Sequence, residues 1–235
     1  MFVGAKLFRL PITGAGDADN QGQMVPPVRA QGREYVGASY DLPSPTAWQV
    51  VGAVNGTTLT YDPSPPAGAP TTLQAGDVLE FAAQSEFTVH SQGSDHPFYM
   101  AVYKRSDDFG MNDGPDFVNL LPPVQYRSQY VFVTDPTYKT TTLVFVRAKG
   151  SGDVTLDCAG TLGDWKPIGS GAFEVTRVVF GKSTAAACAD GAHQAKSSGP
   201  FGLTVWGWAF AASYGYPAGG NSIPVNDVVV PAVPR

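Results

Sequence analysis

The sequence predicts an all-β protein made of two similar antiparallel β-sandwich-like units that arose by internal duplication. Three observations predict it. The 235-residue chain carries 27 glycines and 20 prolines, too many for long helices, because Gly adds backbone entropy and Pro removes a donor and clashes with the preceding turn. Apolar runs of about four to eight residues, rich in Val, Phe, Tyr, Thr and Trp, alternate with Gly, Pro, Ser and Asp along nearly the whole length. Four sequence blocks also recur in the same order, about 95 to 103 positions apart, the mark of a repeated structural unit.

Taken in order, residues 1–24 form an N-terminal extension. Met1 to Pro11 holds Lys6 and Arg9 and no continuous apolar core, so no secretory leader is read there. Asp17, Asp19 and Gln21 followed by Gly22 imitate the start of an EF-hand, but Val28 stands where the bidentate Glu belongs. The first unit spans 25–105. Trp48 to Val54, Asn55-Gly56 and Thr57 to Tyr61 read as a hairpin, since Asn-Gly tolerates the positive φ of a tight turn. Val78 to Phe81, Phe87 to His90 and Phe98 to Tyr103 are its further strands.

An acidic linker, 106–119, leads to the second unit, 120–220. Its strands are Tyr130 to Thr134, Thr142 to Arg147, Val154 to Asp157, Phe173 to Phe180 and Gly202 to Ala209. A helical turn is expected only around Thr184 to Asp190, and 221–235 is a tail. The repeat pairs VPPVRAQGREYV from Val25 with LPPVQYRSQYV from Leu121, and QVVGAVNGTTLTYD from Gln49 with LVFVRAKGSGDVTLD from Leu143. SDHPFYMAVY from Ser94 aligns without a gap on SSGPFGLTVW from Ser197. In both copies the Pro is expected to begin a strand and the Phe (Phe98, Phe201) to anchor a core.

Composition narrows the function. Fifteen Lys and Arg against 20 Asp and Glu give a net charge of −5, with no basic block, which argues against nucleic acid as a partner. Hydrophobic residues at 43% argue against disorder. No apolar stretch reaches the ~18 residues of a membrane-spanning helix.

Chemical motifs are few. Cys158 and Cys188 lie 30 positions apart. Either they form a bridge, whose loop closure contributes about 3.6 kcal/mol in the chain-entropy model, or they are two buried reduced thiols; a bridge favours an exported protein. No CxxC is present, and the two cysteines are read as having no neighbouring His with which to build a zinc site. His90, Asp95 and His96 share one loop but no rigid face. His193 is read as solvent-facing or capping. The loop SDDFGMNDGPDF offers Asp107, Asp108, Asp113 and Asp116 as candidate calcium ligands, hard oxygens in a Gly-containing loop; no other cofactor is expected. No nucleophile elbow, SxxK or phosphate-binding loop occurs. Asn55-Gly56-Thr57 is a glycosylation acceptor in form, though the turn already accounts for it. Trp206, Trp208 and Phe210 alternate on one strand face, as core residues or, less simply, as a contact surface for sugars or proteins.

The block GAHQAKSSGPFGLTVWGWAFAASYGYPAGG from Gly191 to Gly220 resembles the closing signature of the IgGFc-binding protein N-terminal domain family. VVGAVNGTTLTYD from Val50, HPFYMAVY from His96, the Gly114-Pro115-Asp116-Phe117 turn and LPPVQYRSQYVFVTDPTY from Leu121 are similar to its earlier parts, so the likeness runs from about Pro26 to Pro231. It implies a bacterial exported member, with Cys158 and Cys188 paired as in bacterial relatives. It further implies a non-enzymatic recognition or adhesion module of a secreted or cell-surface protein, its signal peptide not within this sequence. The ligand is expected to be a protein or glycan, immunoglobulin Fc among them. Two other readings stand beside it: a carbohydrate-active hydrolase drawing carboxylates from the acidic loops, and a structural spacer in a larger surface protein.

Overall fold

The computed structural model describes residues 2–5, 21–40, 45–104, 114–182 and 185–229, and it is all-β. A hairpin of β1 (Phe2–Ala5) and β2 (Gln21–Met24) comes first. Then follow β3 (Glu34–Gly37), β4 (Thr46–Gly52), β5 (Thr57–Asp62), β6 (Thr72–Leu73), β7 (Val78–Ala83), β8 (Phe87–Ser91), β9 (Phe98–Lys104) and β10 (Asp116–Asn119). They make two four-stranded sheets, β10-β9-β4-β7 and β3-β8-β5-β6. The rest of the chain supplies β11 (Arg127–Val133), β12 (Thr140–Ala148), β13 (Val154–Leu156), β14 (Gly160–Thr161), β15 (Lys166–Ile168), β16 (Phe173–Val179), β17 (Ala192–Ala209) and β18 (Ala212–Pro217). These form one sheet of eight strands, because β17 runs through both of its layers.

The same pairings occur in each half. β4 lies between β7 and β9 as β12 lies between β16 and the later part of β17. β8 takes β3 and β5 as the earlier part of β17 takes β11 and β13. β10 flanks β9 as β18 flanks β17. All are antiparallel.

The expected hairpin at Asn55-Gly56 is corrected, and with it the counterpart that the repeat implies from Leu143. Asn55-Gly56 does turn the chain, with Gly56 at φ +71°, yet β4 and β5 do not pair; the turn carries the chain from one sheet to the other. The end of β4 instead meets the loop before β7, where the Gly52 N–H donates to Asp77 O at 3.0 Å. Likewise β12 and β13 both pair with β17 and not with each other. A tight turn fixes a reversal of direction, but the choice of sheet rests on which side the apolar alternation must face. Pro200 is also not a strand start: it lies inside β17, where the strand leaves one layer for the other. At that bend a Cβ on Gly199 would sit 1.8 Å from Ser151 O, so no side chain fits.

The expected helical turn falls partly outside the described residues; within them, the Cys188 N–H donates to Ala185 O in a single turn. The two Pro-Pro motifs do form short 3-10 helices, Val28–Ala30 and Pro123–Gln125. β10 occupies the end of the expected linker. Between Asn221 and Asn226 the expected tail crosses both 3-10 turns. Asn221 N donates to Gln125 O at 2.8 Å and Val225 N to Arg29 O at 2.7 Å, while Asn226 Nδ2 donates to Val28 O at 2.8 Å and to Gln31 O at 2.9 Å.

One apolar cluster joins the halves. Trp48, Phe81, Phe87 and Phe98 of the first belong to the same buried group as Val144, Val146, Ile168, Val175, Trp206 and Trp208 of the second. The Tyr40 ring lies 5.0 Å from that of Trp206. Arg177 donates to Ser39 O and pairs with Glu86 across this junction. Ser170 donates from its N–H and its hydroxyl to Asp62 Oδ2, both at 2.8 Å, and these bonds hold the Asp62 carboxyl below its ordinary range. The second half keeps its own cluster around Leu143, Phe145, Phe201 and Val205.

A matched tyrosine anchors each half. Tyr35 Oη donates to Phe98 O at 2.8 Å and accepts from the Gly32 N–H at 3.2 Å. Tyr130 Oη donates to Phe201 O and accepts from the Arg127 N–H at 3.0 Å. Burial pushes the Tyr35 phenol up, so it stays a donor. Tyr35→Phe leaves a carbonyl and an N–H without their partner and is expected to cost about 1–3 kcal/mol. A urea midpoint equal to that of the unaltered protein would contradict this role.

Candidate binding surface

The residues singled out in the sequence do not assemble into a catalytic or calcium site among the described residues. Asp107, Asp108 and Asp113 lie outside them, as do Asp17, Asp19 and the rest of that loop before Gln21. Asp116 sits in β10, where its carboxylate accepts from the Phe117 N–H at 2.7 Å. His90 is an exposed residue of β8, and His96 stands 3.0 Å from Asp95 with no third ligand-type side chain at hand among the described residues. Among the described residues, the carboxyls whose titration is shifted, Asp62, Asp95, Asp135 and Asp157, move downward, whereas a glycosidase acid is raised.

Two readings of the aromatic residues are settled. Trp206 and Trp208 are buried between the halves, and their rings are not open to a ligand. Phe210 leaves the strand face at the β17–β18 turn and is 70% exposed.

Cys158 and Cys188 form a disulfide, with Cα atoms 5.2 Å apart. His193 is buried beside it, not solvent-facing. Its Nδ1 lies 3.0 Å from Asp157 Oδ1 and its Nε2 2.8 Å from Ala189 O, with the Phe132 and Phe180 rings 5.7 and 5.0 Å away. Burial raises the Asp157 carboxyl, but the bonds from His193 and from the Gln194 and Cys158 N–H groups outweigh it and hold it below its ordinary value. The sequence signal for this group is the spacing of His193 five positions after Cys188; the reading of two cysteines without a neighbouring His is thereby corrected.

The most distinctive open surface is the outer face of β11 with the strands beside it. Tyr130 and Phe132 point into the second core, while Val131 and Val133 point outward, 69% and 61% exposed. On the sheet Val131 stands beside Gln194, Val133 beside Ala192 and Gln129 beside Lys196; Lys196 in turn is next to Thr155 of β13. The patch is therefore an apolar pair rimmed by amides, a hydroxyl and one cation.

The first half shows what such a face can do. Val36 follows the anchoring Tyr35 as Val131 follows Tyr130, and Ala38 occupies the place of Val133. Val36 and Ala38 are only 4% and 7% exposed; with Val144, Val146 and Thr204 of the second half they line a crevice of about 30 Å³. The same outward positions are thus covered by a β-sheet in one half and open in the other.

Among the described residues β11 is also an edge strand, paired with β17 alone. Its backbone is blunted at one end, where the Val133 N–H donates to Tyr216 Oη at 3.2 Å and Tyr216 Oη donates to Val133 O. The Asp135 N–H donates to Tyr214 Oη at 3.2 Å. Such caps limit uncontrolled strand addition and leave the sheet face itself for contact.

Comparison with known proteins adds one positive finding. The family model described as IgGFc binding protein matches residues 1–207 of the 235. No curated protein and no solved structure matches the chain.

Proposed function

Because the chain belongs to the IgGFc-binding family, we propose that it is a non-enzymatic recognition or adhesion module of a secreted or cell-surface protein, which takes a protein ligand on the outer face of β11, β17 and β13. The observation that carries this reading is the contrast between Val131 and Val133, open, and Val36 and Ala38, covered by a sheet. An apolar patch with a polar rim is the ordinary make-up of a protein contact. The partner that suits it presents a β-sheet face with branched or aromatic side chains, as the second half presents Val144 and Val146 to Val36.

Immunoglobulin Fc, the ligand in the family's name, is the first partner to test. A glycan is the poorer fit, because the aromatic rings best suited to stacking on sugars are buried. The recurring pairings and the matched tyrosines support an origin by duplication, with units at 25–105 and 120–220. The Cys158–Cys188 bridge supports export.

The experiment is a titration of the immobilised full chain with IgG Fc beside a glycan panel, repeated on the Val131→Lys/Val133→Lys variant. Both positions are exposed, so the variant is expected to keep its melting temperature, with a change within about 0.5 kcal/mol. Saturable Fc binding that weakens at least ~10-fold in the variant is the expected result. Fc binding untouched by the two lysines would remove this face as the site, and a response confined to glycans would overturn the protein-ligand reading.

A further inference from the structure

We propose that Cys158, Cys188, His193 and Asp157 form a zinc site when the disulfide is reduced, so that the bridge and a bound metal are alternative ways of closing the same loop. A carboxylate oxygen of Asp157, Cys158 Sγ and a ring nitrogen of His193 all lie within 4.8 Å of one another. Cys188 Sγ lies outside that group of three but one S–S bond from Cys158 Sγ, so it is the donor that has to swing in once the bridge opens. Two thiolates, an imidazole and a carboxylate are a donor set that zinc accepts, and its usual bond lengths place tetrahedral ligand atoms about 3.3–3.8 Å apart. On reduction the two sulfurs would have to separate from bonding distance to about 3.8 Å, with the imidazole and carboxylate adjusting around them.

The surroundings are those of a metal ligand set. His193 Nε2 lies 2.8 Å from the Ala189 carbonyl. With Nε2 held there, Nδ1 faces Asp157 Oδ1, 3.0 Å away. In the reduced form a divalent ion would be reached by the ring nitrogen, the carboxylate oxygen and the thiolates together. Histidine held by a backbone carbonyl through its far nitrogen is the common arrangement around zinc. The Gln194 N–H fixes the other Asp157 oxygen at 3.0 Å. The Asp157 side chain is 41% exposed, which gives an ion a way in.

The chemistry balances. A dithiol reductant gives two electrons and two protons to the Cys158–Cys188 bond and leaves as a cyclic disulfide. Zinc then displaces the two thiol protons to solvent, forming two Zn–S bonds. Soft thiolates with imidazole favour zinc over magnesium or calcium.

The test uses the full chain, reduced and freed of reductant under argon, then titrated with cobalt(II) as a spectroscopic stand-in for zinc. One cobalt per chain is expected, with a thiolate-to-metal charge-transfer band and intense tetrahedral ligand-field bands, both displaced by zinc. The oxidised chain is expected to give neither. His193→Ala and Asp157→Ala are each expected to weaken binding at least ~10-fold and to reduce the ligand-field intensity.

Circular dichroism is followed in parallel. Should reduction unfold the chain, zinc is expected to restore the strand signal in the unaltered protein and not in His193→Ala. A reduced, folded chain without cobalt bands would overturn the proposal. So would bands indifferent to His193 and Asp157, which would mark a thiol pair binding metal by itself, or zinc that fails to restore an unfolded reduced chain.

Discussion

Trp206→Ala is expected to cost about 3–5 kcal/mol, the range for deleting a large buried aromatic side chain. For a chain of this size that corresponds to roughly 6–20 °C in melting temperature. The reason is its position. Trp206 is buried where the outer face of the β12–β17 sheet meets the first half, against the Tyr40 ring and within the cluster that contains Trp48 and Phe98. Neighbours are trimmed to fit it: a Cβ on Gly215 would lie 2.6 Å from Trp206 Cζ3. The cavity left by alanine would be walled by strands of two sheets, which cannot both close on it. Phe210→Ala is the control, because Phe210 is only four positions further along the chain but open to water, and its removal is expected to stay within about 0.5 kcal/mol. Equal denaturation midpoints for the two variants would contradict the shared core.

Loss of the disulfide has the second large effect. The Cys158→Ser/Cys188→Ser variant is expected to lose about 3.6 kcal/mol, from the entropy regained by a 30-residue loop in the unfolded chain. The corresponding fall in melting temperature is about 7–14 °C. The residues fastened by the bridge, Ala185 to Asp190, bury few large apolar side chains of their own, and Ala185 and Cys188 are the ones that reach the second core. Thiol titration of unreduced protein is expected to find no free cysteine, in keeping with the absence of free cysteines in the structure. Two reactive thiols, or a variant as stable as the parent, would defeat this account.

Much of the fold was legible because its strands alternate. Thr57, Leu59 and Tyr61 are buried between exposed Thr58 and Thr60, and that period of two is plain in the sequence. Other strands were hidden by composition. β3, with Glu34 at its start, is only four residues long; β10 lies at the end of an acidic loop; β18 reads as Gly and Pro punctuation. The earlier part of β17 points His193 and Ala195 inward and Gln194 and Lys196 outward, so neither face looks apolar. Partner choice was the larger loss. Asn55-Gly56 marked a reversal correctly and said nothing about which sheet receives β5.

The candidate surface was illegible for a related reason. Tyr130, Val131, Phe132 and Val133 are all apolar, and such a run reads as a strand buried on both faces. The matching Val36 is indeed buried on its outer side, so no local pattern distinguishes covered from open. The Asp157–His193 contact joins residues 36 positions apart and depends on the register of β13 against β17. The spacing of Cys188 and His193 was visible, but the side of the strand on which His193 would fall was not.

The crossing at Asn226 has a consequence for the order of folding. Its side chain binds Val28 and Gln31, 198 and 195 positions earlier. At ribosomal rates of about 5–20 residues per second, roughly 10–40 s separate the synthesis of those two segments. For that interval the carbonyls of the first 3-10 turn wait without this partner, and so does Gln125 for Ile223, 98 positions later. Contacts of such long range are made late and slow the approach to the native state. The Asn226 clasp closes on the first 3-10 turn, so a nascent chain cannot complete its first half until the strands of its second have emerged.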